Sequence, residues 1–279
     1  MTEPRPGASL NVPEQRDENR ADPSWLSTRR AADVRAREPA RLLVRQLGHY
    51  LAPGPAHGID VGTGTGANHQ YLTTHLPVPT HWTVLDHDRD LLDHPAHGRA
   101  TRLAGQIADL AGLIPQATTG AAFLTCSALL DVLREHDVQQ LADVVLELGI
   151  PALFSLSVTG AVAIHPHDPL DDRITDAFNA HQRRDGRLGP DAPRFLASRL
   201  PEGRLRQVRT PWRLSADGAR SDAGLMRQYL RERAAVALEQ DPDLADAILA
   251  WLPKRLAEVD AGRLAVTVDH VDQLIAPPR

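Results

Sequence analysis

A single cysteine, Cys126, in 279 residues excludes an internal disulfide framework and suits a reducing compartment. Lysine is as scarce: Lys254 is the only one, and arginine supplies the rest of the positive charge. That imbalance reads as coding bias in an Ala/Arg-rich proteome, not as a phosphate-binding device. No apolar run approaches the length that crosses a bilayer, so no membrane span is expected. The opening "MTEPRPGASLNVPEQRDENRADPS" is polar and carries no apolar h-region, so no signal peptide is expected and the chain is placed in the cytoplasm. A net charge of −5 argues against a dedicated nucleic-acid binder. With three tyrosines and one lysine, no Tyr/Lys or Cys/His constellation of a NAD-dependent oxidoreductase is evident.

What remains is a soluble globular composition, 42% hydrophobic, long enough for one large core or two modest ones. Residues 1–23 read as a disordered tail. From Trp25 to about Leu51 the pattern is helical, with Ser24 as N-cap after Pro23 and a break or kink at Pro39. The period then changes. "HGIDVG" reads as a strand, "GANHQYLTTHL" as a helix, "THWTVLDHD" as a second strand and "RDLLDHPAHG" as a short helix. A third strand falls within "ATRLAGQIADL". "GAAFLTCSALLDVL" is a fourth, running into a helix that "REHDVQQLADVVLEL" continues. "PALFSLSVTGAVAI" is a fifth, with a turn at Gly160.

This alternation predicts a doubly wound α/β fold with a parallel sheet covered on both faces. Beyond it, "DPLDDRITDAFNAHQRRD" and "DAPRFLASRL" read as helices and "GRLRQVRTPWRL" as one strand. A helical block over about 220–259 precedes a last strand in "GRLAVTVDHVDQLI".

The chemistry concentrates in "HGIDVGTGTGANHQYL". Asp60 stands two residues before Gly62, and Gly64 and Gly66 follow, giving D-x-G-x-G-x-G. Such a loop turns sharply from strand to helix and lets a ligand approach the main chain. The same letters also read as G-x-G-x-x-A through Gly62, Gly64 and Ala67, a dinucleotide fingerprint, so the glycines alone leave both ligands open. Three features separate them. Asp60 precedes the glycines, where a carboxylate would repel a pyrophosphate yet accept hydrogen bonds from a cationic amino group. Asp86 ends the second strand, twenty residues past Gly66, and can take both ribose hydroxyls. A helix precedes the first strand, and the chain finishes strand, helical block, strand instead of with a second mononucleotide half.

"IDVGTGTGANHQYL", then "WTVLDHDRDLL", then "FLTCSALLDVL", resembles the cofactor-binding core of class I S-adenosylmethionine-dependent methyltransferases. The resemblance covers residues 57–160 and the rest only in outline. It implies a Rossmann-like seven-stranded sheet whose last strand is antiparallel and inserted between the fifth and sixth. It also implies S-adenosylmethionine as cofactor, with the loop of Gly62, Thr63, Gly64 and Gly66 against its methionine part. Asp60 would take the amino group and Asp86 the ribose. Asp109 and Leu110 would meet the adenine, and Ser127 would end the fourth strand beside the sulfonium. The expected layout is one domain over 24–279. It comprises a helical lid at 24–56, the cofactor core at 57–160, and substrate-side helices with the final strands at 161–279.

Methyl transfer needs nucleophile, methyl and sulfur aligned and water kept out, with a base only when the acceptor is protonated. Asp131, in "SALLD", could accept a substrate proton; it could equally be an acid in a first helical turn. In "DPLDDRITDAFNAHQRRD", Asp168, Pro169 and Asp171 read as an N-cap, a proline at N1 and an acid at N3. Leu170, Ile174, Ala177, Phe178 and His181 share one face, so His181 reads either as a pocket residue or as a satisfied core histidine. "HPHD" (165–168) has a metal-like look, but Asp168 is better used as a cap and no metal site is expected. Trp25, Arg29, Asp33 and Arg37 form a stripe at four-residue steps, read as a lid over the cleft or as a solvated salt-bridge ladder.

The leading function is methylation of a small molecule. An RNA substrate is the alternative, suggested by the arginines between Arg183 and Arg213 and opposed by the net charge and the interleaved acids. A NAD-dependent oxidoreductase stands third, and a cofactor-binding protein without activity fourth.

Overall fold

The computed structural model describes residues 22–105, 122–218 and 221–278. Helix α1 (Pro23–Ala36) is capped by Asp22, whose side chain accepts the Ser24 N–H at 2.8 Å, with Pro23 in the first turn. The cap is therefore Asp22 and not Ser24. Helix α2 (Arg41–Tyr50) follows a break that contains Pro39. Next come β1 (Ala56–Val61), α3 (Ala67–His75), β2 (Thr80–Asp86), α4 (Arg89–Leu92), β3 (Thr101–Ala104) and β4 (Phe123–Ser127). Helix α5 (Glu135–Leu148) and β5 (Ala152–His165) complete the first half. These strands pair in parallel in the order β3-β2-β1-β4-β5. Burial along β1 and β4 is nearly continuous, as helices on both faces of a parallel sheet require.

The second half contains α6 (Pro169–Gln182), α7 (Ala192–Ser198), β6 (Leu205–Arg209), β7 (Trp212–Ser215), α8 (Ala223–Gln240), α9 (Ala245–Asp260) and β8 (Ala265–Ile275). Strand β8 runs antiparallel between β5 and β6, which is the topology that the resemblance implies. Among the described residues the sheet has eight strands where seven were expected. "GRLRQVRTPWRL" is two strands, interrupted at Thr210 and Pro211, because a proline cannot donate to the ladder. Both pieces pair with β8.

The expected turn at Gly160 is instead an irregularity inside β5, where pairing with β8 shifts register between Val158 and Val162. The strand continues to His165. The outer halves of β5 and β8 thus run on past the parallel sheet and carry β7 with them.

Among the described residues, buried apolar side chains form three groups. One lies between the sheet and α2 and α3, and one beneath α5 and α7. The third fills the space between α1, α6, α8, α9 and the β5–β8–β7 extension. A buried ion cluster ties this last layer together. Arg255 meets Asp171 at 2.5 Å and Glu258 at 2.7 Å, and Trp251 Nε1 donates to Asp171 at 2.8 Å. Asp171 also closes a capping box with Asp168 at the start of α6, the roles read from sequence. Among the described residues no helix is long and apolar enough to cross a membrane.

Candidate active site

Parallel pairing brings the carboxyl ends of the strands to one edge. Asp60 lies opposite Val84 and Thr125, Asp86 opposite Ala104, and Ser127 opposite Ser155. Ligands of open α/β sheets bind at this edge. The glycine loop leaves β1 with Gly62 at φ 62° and enters α3 with Gly66 at φ 85°, a region where side chains are strained. A Cβ on Gly66 would come 2.6 Å from the His69 ring.

Asp60 has no exposed surface. Its two oxygens accept Thr63 Oγ1–H and Asn68 Nδ2–H, both at 2.7 Å. Burial pushes its carboxyl up to about 6, against the pull of those hydrogen bonds and of Arg37. The geometry makes Asp60 a clamp on the loop, with no face turned to a ligand, which departs from the expected contact with a cofactor amino group. Asn68 in turn accepts Arg37 Nη1–H at 2.9 Å, and Arg37 Nη2 donates to Ser155 at 3.0 Å. Arg37 is 3% exposed and stacks 3.9 Å from the Tyr71 ring centre, so the expected end of the lid stripe is a core residue.

Asp86 is 7% exposed and accepts Gly64 N–H at 2.8 Å and Asp88 N–H at 3.0 Å, one on each oxygen. A carboxylate offers about four lone-pair sites; His87 Nδ1 lies 3.2 Å from Oδ1, and Oδ2 keeps capacity for a further donor. His97 supports the same loop from behind. Its Nε2 lies 3.1 Å from Gly64 O and 3.0 Å from Leu91 O, both acceptors, so Nε2 carries the proton. His97 Nδ1 therefore accepts from His69 Nε2 at 3.0 Å. Burial lowers both rings, His69 to about 4, which keeps the pair neutral at pH 7. Neither histidine nor Asn68 stood out in the sequence, because nothing local marks residues 28 positions apart as partners.

Beside the loop, beyond Ser127, lies a cavity of about 190 Å3. Its walls include Trp25, Asp131, Phe178, Asn179, Tyr229 and Arg233. Trp25 meets Trp212 edge-on at 6.2 Å. Arg29 bonds Asp33 at 2.9 Å, and Asp33 also accepts Trp212 Nε1–H at 2.9 Å, so α1 is fastened to β7 along the wall. Of the expected lid stripe, Trp25 and Arg29 line the cavity. Asp131 sits in a short 3-10 turn (Leu130–Val132), with a 3.3 Å bond from Gln182, and burial raises its carboxyl above the usual range. Ala128 (φ 51°) and Leu156 (φ 54°) also line the cavity in the left-handed region, at about 1–2 kcal/mol each. Backbone strain of this kind concentrates at functional sites.

His181 lies elsewhere. It faces α8 and meets Glu239 at 3.1 Å, while Phe178, Asn179 and Gln182 face the cavity. The stripe of Ile174, Ala177 and His181 packs on α8, and the cavity face of α6 is rotated one residue from it. Asp109 and Leu110 lie outside the described residues. A larger cavity, about 790 Å3, flanks α3 and the start of β2 and touches none of the carboxyl strand ends. Among the described residues no group of three or more His, Cys, Asp or Glu is placed to hold a metal ion.

No family model matches the chain, and no curated protein does. Solved structures do. A SAM-dependent methyltransferase from Geobacter sulfurreducens, in complex with S-adenosyl-L-homocysteine, is 19% identical over 92% of this chain and 99% of its own, with a TM-score of 0.41. A cyclopropane-fatty-acyl-phospholipid synthase-like protein from Lactobacillus casei is 14% identical over 89% and 91%, with a TM-score of 0.49. A phosphoethanolamine N-methyltransferase from Haemonchus contortus, solved with S-adenosyl-L-methionine, is 10% identical over 86% of this chain and has a TM-score of 0.39. The match spans about half of that last protein, 52%. At these identities and scores, the likeness says nothing of reaction or acceptor.

Proposed function

We propose that this chain, which has the fold of class I S-adenosylmethionine-dependent methyltransferases, moves a methyl group from that cofactor to a small molecule in the cavity beside Asp131. One observation carries the reading. The β3-β2-β1-β4-β5-β8-β6 sheet sets a glycine loop and the buried Asp86 on the same edge as a small aromatic-walled cavity.

Bound S-adenosylmethionine supplies an electrophilic methyl on a sulfonium. The chain's own residues do the rest. The loop between Gly62 and Gly66 admits a ligand close to the main chain, and Asp86 Oδ2 offers its remaining lone pair to a ribose hydroxyl. Leu26 of α1 lies over Gly64, 3.2 Å from where a Cβ would stand, and helps to exclude water. Asp131 orients the acceptor and takes its proton. A carboxyl raised by burial is a better base near neutral pH than an exposed one, and such a base contributes about a hundredfold or more.

Three of the arginines that suggested the RNA alternative are engaged in ion pairs, which weighs against it. Arg183 bonds Asp191 at 2.7 Å, Arg184 bonds Glu239 at 2.5 Å, and Arg209 bonds Asp269 at 2.7 Å. Arginines already neutralised by carboxylates make a poor phosphate track. Calorimetric titration with S-adenosylmethionine, S-adenosylhomocysteine and NAD tests the reading. Both adenosyl compounds should bind and NAD should not; binding of NAD alone would sink the proposal.

A further inference from the structure

Arg233, midway along α8, is 5% exposed and is enclosed by aromatic rings. Its guanidinium lies 4.1 Å from the Phe178 ring centre and 5.0 Å from that of Tyr229. Among the described residues no carboxylate comes within 4.0 Å of it, and it makes no hydrogen bond to protein. The other buried arginines differ. Arg255 has Asp171 and Glu258, and Arg37 has Asn68, Ser155 and, at 3.7 Å, Asp272. Burying a cation without a counter-ion is costly, and a fold that retains one has a use for the open charge.

That charge lines the cavity beside Asp131. A second observation converges on the same wall. Tyr229, four residues before Arg233, lines the same cavity, and among the described residues its buried hydroxyl has no hydrogen-bond partner. A guanidinium fork and a phenolic O–H are both donors, the set that receives an anion. Glu232 also lines the cavity, and its carboxylate already accepts Gln228 Nε2–H at 3.1 Å. Trp25, Trp212 and Phe178 supply flat apolar walls.

We propose that the acceptor carries a carboxylate, which Arg233 and the Tyr229 hydroxyl hold while Asp131 faces the reacting group. The carboxylate's role as part of an acceptor rests on the methyl-transfer reading; the anion site itself does not. The guanidinium's planar fork matches a carboxylate edge-on, and the small cavity favours a compact planar molecule.

The test is calorimetric titration of the full chain with benzoate, and with benzamide, benzylamine and phenyl phosphate as neutral, cationic and phosphoryl counterparts. Benzoate should bind at least tenfold tighter than each of the other three. Arg233→Gln should lose at least tenfold in benzoate affinity while its Tm stays level or rises, since no protein counter-ion is orphaned. Tyr229→Phe, which keeps the ring, should weaken benzoate severalfold. Absence of benzoate binding, equal binding of benzamide, tighter phenyl phosphate, or unchanged affinity in both variants would overturn the carboxylate site. S-adenosylmethionine titrated into the same protein reads the methyl-transfer proposal separately. Cofactor binding without benzoate sinks only the carboxylate site, and benzoate binding without cofactor sinks only the methyl transfer.

Discussion

Two neighbouring regions of the same sheet edge treat polar groups in opposite ways. At the glycine loop, Asp60 and Asp86 have protein donors on both oxygens, and His69 and His97 brace the turn. In the adjacent cavity, among the described residues, the Arg233 fork has ring contacts but no carboxylate, and the Tyr229 hydroxyl and Asn179 Oδ1 have no hydrogen-bond partner. Polar groups in a protein interior are normally paired, and on the proposal above a ligand would complete this unpaired cluster. The paired cluster marks a turn held in shape beforehand. Pre-organisation belongs to one region and ligand selection to the other.

The largest effect that sharpens this contrast lies in the structural ion cluster. Arg255→Met should destabilise the chain by about 3–5 kcal/mol, because it leaves Asp171 and Glu258 buried without their cation. Chemical denaturation reads this, and a variant as stable as the parent would break the distinction between Arg255 and Arg233. Next comes Asp131→Asn. Once an acceptor is identified, turnover should fall about a hundredfold or more with cofactor affinity unchanged. A loss of cofactor affinity with turnover preserved at saturation would place Asp131 on the wrong side of the comparison.

A smaller effect is expected at Asp86. Asp86→Asn should weaken S-adenosylmethionine by about tenfold, or 1.4 kcal/mol, through loss of charge-assisted acceptance from a ribose hydroxyl and from Gly64 N–H. Unchanged affinity in a folded variant removes Asp86 from the site. The smallest effect is a pH dependence. Asp60 titrates near 6 when folded and near 3.8 unfolded, so the folded state holds the proton more tightly. Its contribution to stability is complete below about pH 3.8 and is lost as pH rises through 6. The Tm advantage of the parent over Asp60→Asn should accordingly shrink between pH 4 and pH 7. An advantage that grows with pH would show Asp60 ionised throughout.

How much of this was legible in the sequence follows from range. The D-x-G-x-G-x-G turn, the acid ending β2 and the alternation of strands and helices are local patterns, and the sheet order follows from them through the family resemblance. Position 181 shows where such reading stops. Helical periodicity finds a buried face on α6, but that helix buries two, one on α8 and one on the cavity, and His181 and its neighbour Gln182 part company there. Arg233 carried no signal at all, since a charged residue on a long helix reads as surface until the packing around it is seen. Arg37 departs from the expected stripe for a related reason: the stripe turns inward where α1 ends at Ala36. The extension of β5 past Gly160 and the split at Pro211, which together build the cavity's outer wall, depend on pairing with β8, about a hundred residues along the chain from that part of β5 and about fifty from β7.

The central claim, methyl transfer to a small anionic acceptor, meets its most direct test in a labelling experiment. The full chain is incubated with S-adenosylmethionine labelled in the methyl group and a cell extract, which is then separated into small molecules, RNA and protein. The account predicts label in the small-molecule fraction, on a species retained by an anion exchanger and absent when Asp131→Asn replaces the parent. Label carried by RNA or by protein would contradict it.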